Sequence, residues 1–246
     1  MTDIASHRGG AMLWPENSRL AFRNSTALPV EFIEFDVHRS RDGVLLVHHD
    51  SQLGRTARGS GAIAEMDWEQ LSAVPLLGTD GETIPTFEEV LDIIGPSGIG
   101  LRIEIKTRHD GGRYAGIEQA VVDVLARRGL LARTTFTSFD LPTLATLAGI
   151  APGAPAIWLV ADRHLAPARD IASLCRKAKD AGAGEIALRA SKVEDADAAA
   201  CHAAGIRFGV YGAHDEATIR WAFATGVTVF TTDRPDLAIA LRPTAG

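Results

Sequence analysis

The order of apolar and polar segments predicts an α/β protein, a TIM-type (β/α)8 barrel with a small insertion after the second barrel strand. Three observations carry this expectation. From residue 86 onward, short β-branched runs alternate with helical patterns, and such alternation implies a parallel sheet. With two earlier strands at 3–6 and 31–37, the alternation holds eight strands, the number that closes this kind of barrel. His7, Asp36, Lys106, Ser138 and Asp233 all fall at or just past strand ends, where such barrels keep their chemistry.

The first strand is short and ends in His7-Arg8-Gly9-Gly10, two glycines that permit a sharp turn or a close approach of backbone to ligand. Trp14-Pro-Glu-Asn-Ser18 then reads as a loop leading into a helix, with Asn17 or Ser18 at the N-cap. The second strand, 31–37, is aromatic and β-branched. Its side chains alternate, so Ile33, Phe35 and Val37 share one face and Glu34 and Asp36 the other. Ser40-Arg-Asp-Gly43 is a turn signal. A connection that short cannot join parallel strands, so 44–48 should run antiparallel, back beside the first strand, and deliver His48-His49-Asp50 near the carboxylates.

Residues 51–82 are polar and Gly-rich and read as an insertion of loops with one short helical piece at 67–71. Thr86 and Glu89 form a capping-box pattern that opens a helix running to about residue 94, where Gly95-Pro96 stops it. Further strands are expected near 101–106, 133–138, 155–160, 184–188, 206–210 and 227–231. Helices are expected at about 114–128, 140–148, 167–181, 192–204, 214–224 and 234–241.

A chain of 246 residues suits one barrel domain over 1–246, with 51–82 inserted in it. The net charge of −6 argues against binding to nucleic acid or to anionic membranes. No apolar run approaches the roughly 18 residues of a membrane span. The start of the chain lacks the basic flank and apolar stretch of a signal peptide, which makes the expected location cytoplasmic. Cys175 and Cys201 lie in helical patterns without zinc spacing and read as small buried hydrophobes.

The carboxylate pattern points to chemistry. The strand 101–106 repeats it, with Leu101, Ile103 and Ile105 on one face and Arg102, Glu104 and Lys106 on the other. A charge inside a buried strand is costly unless it is paired or bound to metal. Glu34, Asp36 and Glu104 thus form a candidate metal site, and three hard oxygen ligands suit Mg²⁺ or Ca²⁺ better than zinc.

The ordered set His7-Arg8-Gly9, Pro15-Glu16-Asn17, Glu34-Phe-Asp36, Asp42-Gly43 with His49-Asp50, Ile84 to Glu89, Glu104-Ile-Lys106 and Thr232-Asp233-Arg-Pro235 resembles the glycerophosphodiester phosphodiesterase family. The resemblance runs from about residue 4 to 240. It implies a TIM-type barrel with a small insertion after the His-Asp motif. It implies one divalent metal, Mg²⁺ or Ca²⁺, held at Glu34, Asp36 and Glu104. It implies catalytic histidines at His7 and His49, Arg8 and Lys106 on the phosphate, and cleavage of glycerophosphodiesters to glycerol 3-phosphate and an alcohol. Where many members carry an aromatic-rich strand ending, this chain reads Val210-Tyr-Gly-Ala-His214, and Tyr211 is placed as a wall of the substrate pocket. Gly226-Val-Thr-Val-Phe-Thr-Thr-Asp233 also departs from the usual ending. These changes touch the head group rather than the reaction.

Asn17 is read as a substrate contact or a helix cap. His38, His48, His109, His164, His202 and His214 are read as structural, Arg55 and Arg58 as solvated, and Glu16 as near the site. Arg189, just past a strand end, is a secondary candidate for the phosphate or head group. The expected partner is a small glycerophosphodiester, with no nucleic acid and no stable membrane insertion, and a homo-oligomer is left open. The competing readings are a phospholipase D-type enzyme for lysophospholipids or sphingolipids, a metal-dependent carbon–carbon lyase, and a non-catalytic binding protein. The first would need an apolar rim, the two histidines weigh against the second, and the intact carboxylates and histidines weigh against the third.

Overall fold

The computed structural model describes residues 2–166 and 168–243. Among them the strands are β1 (Asp3–Ser6), β2 (Phe32–Arg39), β3 (Leu45–Val47), β4 (Gly100–Ile105), β5 (Thr134–Ser138), β6 (Ala156–Leu159), β7 (Glu185–Arg189), β8 (Arg207–Tyr211) and β9 (Val229–Thr232). The helices are α1 (Arg19–Ser25), α2 (Trp68–Ser72), α3 (Phe87–Ile94), α4 (Ile117–Arg127), α5 (Leu141–Ile150), α6 (Ile171–Asp180), α7 (Asp195–Ala203), α8 (Glu216–Thr225) and α9 (Pro235–Ala240). Neighbouring strands follow the order β1-β9-β8-β7-β6-β5-β4-β2, and a parallel pairing of β1 with β2 closes the ring. The eight-stranded parallel barrel expected from the alternation is therefore the fold.

The two faces of each strand do different work. Phe35 packs edge-on against Phe22 of α1 and tilted against Phe87 of α3, and Ile33, Leu101 and Ile103 join the same apolar layer between strands and helices. The opposite faces fill the barrel. There a small apolar cluster of Ala5, Ile157, Leu159, Ala187 and Val229 leaves room for the buried polar groups Glu34, Asp36, Arg102, Glu104, Thr137 and Thr231. The β2–β4 register sets Glu34 beside Arg102 and Asp36 beside Glu104.

β3 is antiparallel to β2, as the short turn requires. The Asp36 carbonyl accepts from the His48 N–H, whereas the Val37 carbonyl accepts from the Lys106 N–H, so β3 and β4 lie on opposite edges of β2. Because β2 runs on to Arg39 to pair with β3, Asp36 stands inside the strand rather than at its end. The expected strand boundaries otherwise shift by a residue or two.

The helices depart more. α4 begins at Ile117, after a loop that carries the buried Tyr114. α8 begins at Glu216 because Asp215, not His214, caps it through the Thr218 N–H. α6 begins at Ile171 with Asp170 as its cap; Pro167, where that helix was expected to start, lies outside the described residues. The insertion holds more order than its composition suggests. Leu53, Ala57, Ile63, Leu71 and Leu76 form a separate apolar cluster with Leu46 and Ile84. Cys175 and Cys201 are buried on α6 and α7 as free thiols, Cys175 Sγ donating to Cys201 Sγ at 3.8 Å. Among the described residues no helix is long and apolar enough to cross a membrane.

The capping box at the start of α3 is formed in both directions. The Thr86 hydroxyl accepts from the Glu89 N–H at 3.1 Å and the Glu89 carboxylate accepts from the Thr86 N–H at 2.7 Å. Thr86→Ala should lower stability by about 1 kcal/mol in urea titration with an unchanged m-value.

Candidate active site

The C-terminal end of the barrel gathers the carboxylates that the strand pattern singled out. Glu34, Asp36 and Glu104 are buried, and each offers an oxygen within 4.8 Å of the others. Two cations hold them together. The Lys106 ammonium lies 2.7 Å from Glu104 and 2.9 Å from Asp36, and Arg8 Nε lies 3.4 Å from Asp36. Burial pushes Glu34, with Asp36 adding its charge, up to about 7. Burial raises Glu104 as well, against the pull of Lys106. Burial also opposes ionisation of Asp36, but Lys106 and then Arg8 hold it well below the usual carboxylate range. Lys106 in turn is kept protonated, since Asp36 and Glu104 outweigh its desolvation.

The loop after β1 wraps tightly over this cluster. The Arg8 N–H donates to Glu34 at 3.0 Å with Arg8 in the left-handed region at φ 52°. Such a conformation in a non-glycine residue costs of order 1–3 kcal/mol, and surrounding contacts must hold it there. Gly9 follows at φ 79°, and a Cβ there would meet the Ala21 side chain at 2.9 Å. Asn17 also has positive φ, at 55°. Ser18 rather than Asn17 caps α1, accepting from the Ala21 N–H. That leaves Asn17 Nδ2 to donate to Asp36 at 2.8 Å, with its side-chain oxygen buried and unpartnered.

Both expected histidines converge on the cluster, each held by its own carboxylate. His7 Nδ1–H donates to Asp233 and His49 Nδ1–H donates to Asp50, both at 2.5 Å. His7 Nε2 then lies 3.9 Å from Glu34. Burial pulls His7 down, but Glu34 and the Asp233 bond outweigh it and its pKa is raised. Burial pulls His49 down too, and with Lys106 and Arg8 also opposing its charge it falls to about 4. His48 points away, as expected of the strand alternation. It donates to the Asp50 carbonyl and accepts from Thr56.

Several residues enter the site that the sequence reading set aside. Arg55 is not a free solvated charge: it bonds Asp50 at 2.7 Å and Glu16 at 2.7 Å, and Glu16 bonds Arg8 at 3.0 Å. This chain ties the insertion to both histidine-bearing loops. His214, read as structural, accepts from the Asp233 N–H at 3.0 Å and stacks on His7 at 6.2 Å. The signal available was its position one residue ahead of a capping aspartate. His38 is a buried bridge: the Tyr114 hydroxyl donates to its Nδ1 at 2.9 Å and its Nε2–H donates to the His49 carbonyl at 3.1 Å. Burial holds it neutral, with a pKa of about 3.

Two hollows meet at His49, Glu104 and Phe139. One, of about 370 Å³, is lined by His7, Leu159, Arg189, Tyr211 and His214 among others. The other, of about 550 Å³, is lined by Gln52, Arg55, Lys106, Arg108 and Ser138 among others. Tyr211 presents its ring to the first hollow, edge-on to Phe139 at 5.7 Å, while its hydroxyl donates to the Val160 carbonyl. Arg189 lies over that ring at 5.3 Å and pairs with Asp162. Ser138 donates to the Ile105 carbonyl, which gives its hydroxyl a structural partner.

The donor set fits a hard divalent cation. All three ligand groups are carboxylates, Asp36 Oδ1 makes no hydrogen bond although Lys106 is near, and a buried amide oxygen of Asn17 stands unpartnered beside them.

Comparison with known proteins agrees with this arrangement. The profile described as the glycerophosphoryl diester phosphodiesterase family matches residues 7–237. A glycerophosphodiester phosphodiesterase of Bacillus altitudinis is 27% identical over 98% of this chain and 98% of its own. One from Caldanaerobacter subterraneus is 31% identical over 61% of this chain and 63% of that protein. A crystal structure from Agrobacterium tumefaciens, provisionally assigned as a glycerophosphoryl diester phosphodiesterase, is 36% identical with a TM-score of 0.91, covering 98% of this chain and 97% of that one.

Proposed function

The chain belongs to the glycerophosphoryl diester phosphodiesterase family, and from that premise we propose that it hydrolyses glycerophosphodiesters to glycerol 3-phosphate and an alcohol, using one divalent cation, Mg²⁺ or Ca²⁺, at Glu34, Asp36 and Glu104. The observation that carries the reading is the buried three-carboxylate cluster flanked by two carboxylate-held histidines, with a hollow on either side. A phosphodiester has one anionic centre and two arms, and the site has one charged centre and two hollows.

The cation, when bound, supplies Lewis-acid charge to the phosphoryl oxygens. The protein supplies the rest. Lys106 and Arg8 pair with the carboxylates. With a cation among those carboxylates, both side chains have charge to spare for the phosphate, and such preorganised charge is usually the largest catalytic term. The histidine pair carries the protons: one imidazole takes the proton of the attacking oxygen and the other gives one to the leaving alkoxide. Asp233 and Asp50 hold the Nδ1 side of each ring, which leaves each Nε2 for that exchange. Tyr211, Phe139 and Leu159 form the apolar wall of one arm and Asn17 helps to hold Asp36.

The test is glycerol 3-phosphate release from glycerophosphocholine and glycerophosphoethanolamine, with choline release from lysophosphatidylcholine as a third assay. Release should stop in EDTA and return with Mg²⁺ or Ca²⁺. Activity that persists in EDTA after exhaustive chelation would overturn the metal assignment, and turnover of lysophosphatidylcholine alone would favour the phospholipase D-type reading. His49→Ala should lower kcat by roughly 10²–10⁴-fold without moving the melting temperature by more than a few degrees. Near-normal turnover in that variant would remove His49 from proton transfer.

A further inference from the structure

Three imidazoles line the first hollow, His7, His49 and His214, and the chemistry above uses two of them. His214 stands in the loop after β8, and that loop is laid along the end of β9. Gly212 turns the chain at φ 81°, and the Ala213 N–H donates to the Thr231 carbonyl at 3.1 Å. His214 Nδ1 then accepts from the Asp233 N–H at 3.0 Å. A backbone amide can only donate, so this bond fixes the tautomer: Nδ1 offers its lone pair and the proton is on Nε2. Burial, with His7 and Arg8 adding their charge, outweighs the pull of Asp233 and Asp215 and holds the ring below the ordinary histidine range. Asp233 is thereby gripped at both of its main-chain polar groups, since its carbonyl accepts from the Met12 N–H at 3.2 Å.

The grip matters because Asp233 in turn holds His7, whose Nδ1–H donates to Asp233 Oδ1 at 2.5 Å. His214 Nδ1 lies 3.5 Å from the other carboxylate oxygen, Oδ2. A proton on that nitrogen would make the ring a second donor to the carboxylate and strip the Asp233 N–H of its acceptor. With the proton on Nε2, His214 anchors the main chain of Asp233 and makes no claim on its carboxylate. The two rings are stacked with centroids 6.2 Å apart, which sets His214 alongside His7. Resting on the proton-transfer role given to His7 above, we propose that His214 is a positioning residue: its Nδ1 pins the Asp233 backbone, and through Asp233 it keeps His7 Nε2 aimed at the reacting oxygens. A displaced catalytic group loses rate rather than affinity, and a shift of about 1 Å can cost about 10²-fold. The rival task, donation from Nε2–H to a substrate hydroxyl in the hollow, would use the opposite edge of the ring.

The experiment is steady-state hydrolysis of glycerophosphoethanolamine by the full chain with saturating Mg²⁺, for wild type and three variants whose folding a thermal melt checks. His214→Leu removes the acceptor, His214→Asn puts an amide oxygen near the place of Nδ1, and His214→Gln puts its amide near the place of Nε2. His214→Leu should lower kcat by about tenfold or more with KM within about twofold of wild type. His214→Asn should recover most of that loss and His214→Gln should not. The opposite pattern, with KM raised in His214→Leu and His214→Asn but spared in His214→Gln, assigns the ring to the substrate and overturns the proposal. Imidazole ¹⁵N–¹H spectra of the wild-type chain at neutral pH supply a check that needs neither a variant nor turnover. They should show His214 protonated at Nε2 alone, and a His214 proton on Nδ1 overturns the proposal. Wild type that hydrolyses no glycerophosphodiester overturns the function proposed above and the positioning role with it. Hydrolysis that folded His214→Leu leaves unchanged overturns the positioning role alone.

Discussion

Mutual repulsion among Glu34, Asp36 and Glu104 is the constraint around which this barrel is arranged. Three carboxylates within 4.8 Å of one another and out of contact with solvent would not remain ionised unaided. The chain answers with Lys106 just past the end of β4, two residues from Glu104, Arg8 from the loop after β1, and Arg102 one layer down. The response is uneven. Asp36, touched by both Lys106 and Arg8, is held ionised, whereas Glu34, which receives only a backbone N–H and the more distant charges, drifts up to about 7.

The same constraint reaches the backbone. Bringing Arg8 over the cluster requires it to take the left-handed conformation, and Gly9 must then press against Ala21 where no side chain fits. Asn17 is bent in the same sense to reach Asp36. Two unfavourable residues in one loop persist because hydrogen bonds at both ends over-determine them. Glu16 and Arg55 extend this bracing outward to Asp50, so the insertion fixes the second histidine rather than merely decorating the barrel rim.

What the sequence made legible follows from period and register. Alternation along 31–37 and 101–106 placed three carboxylates on the barrel interior, since a strand's side-chain period leaves no other choice once Phe35 and Ile103 face the helices. The histidines followed from the resemblance and from the antiparallel return of β3. The misses arise where a local competitor decides. His214 looked helical, but Asp215 is the better N-cap, so the helix starts later and the imidazole stays in the loop facing His7. Arg55 looked solvated because its partners Glu16 and Asp50 are distant or ambiguous in sequence and meet only when the insertion folds back. The insertion's small core was hidden because its apolar residues have no period, being set by isolated bridges and turns.

Charge pairing also bears on how three carboxylates can be buried together. A structural metal site leaves its ligands uncompensated when empty, and the fold fails with it. Here Lys106 and Arg8 already pair with the cluster from within, while Arg102, one layer down, faces Glu185 as well as Glu34 and Glu104. Under the function proposed above, the two paired side chains stabilise the buried carboxylates and then turn to the phosphate once a cation takes their place. Lys106 and Arg8 reach the cavity side at 12% and 15% exposure. Arg102, enclosed, lines the hollow above it and the cavity it shares with Glu185 below, so the carboxylates of both layers face one guanidinium.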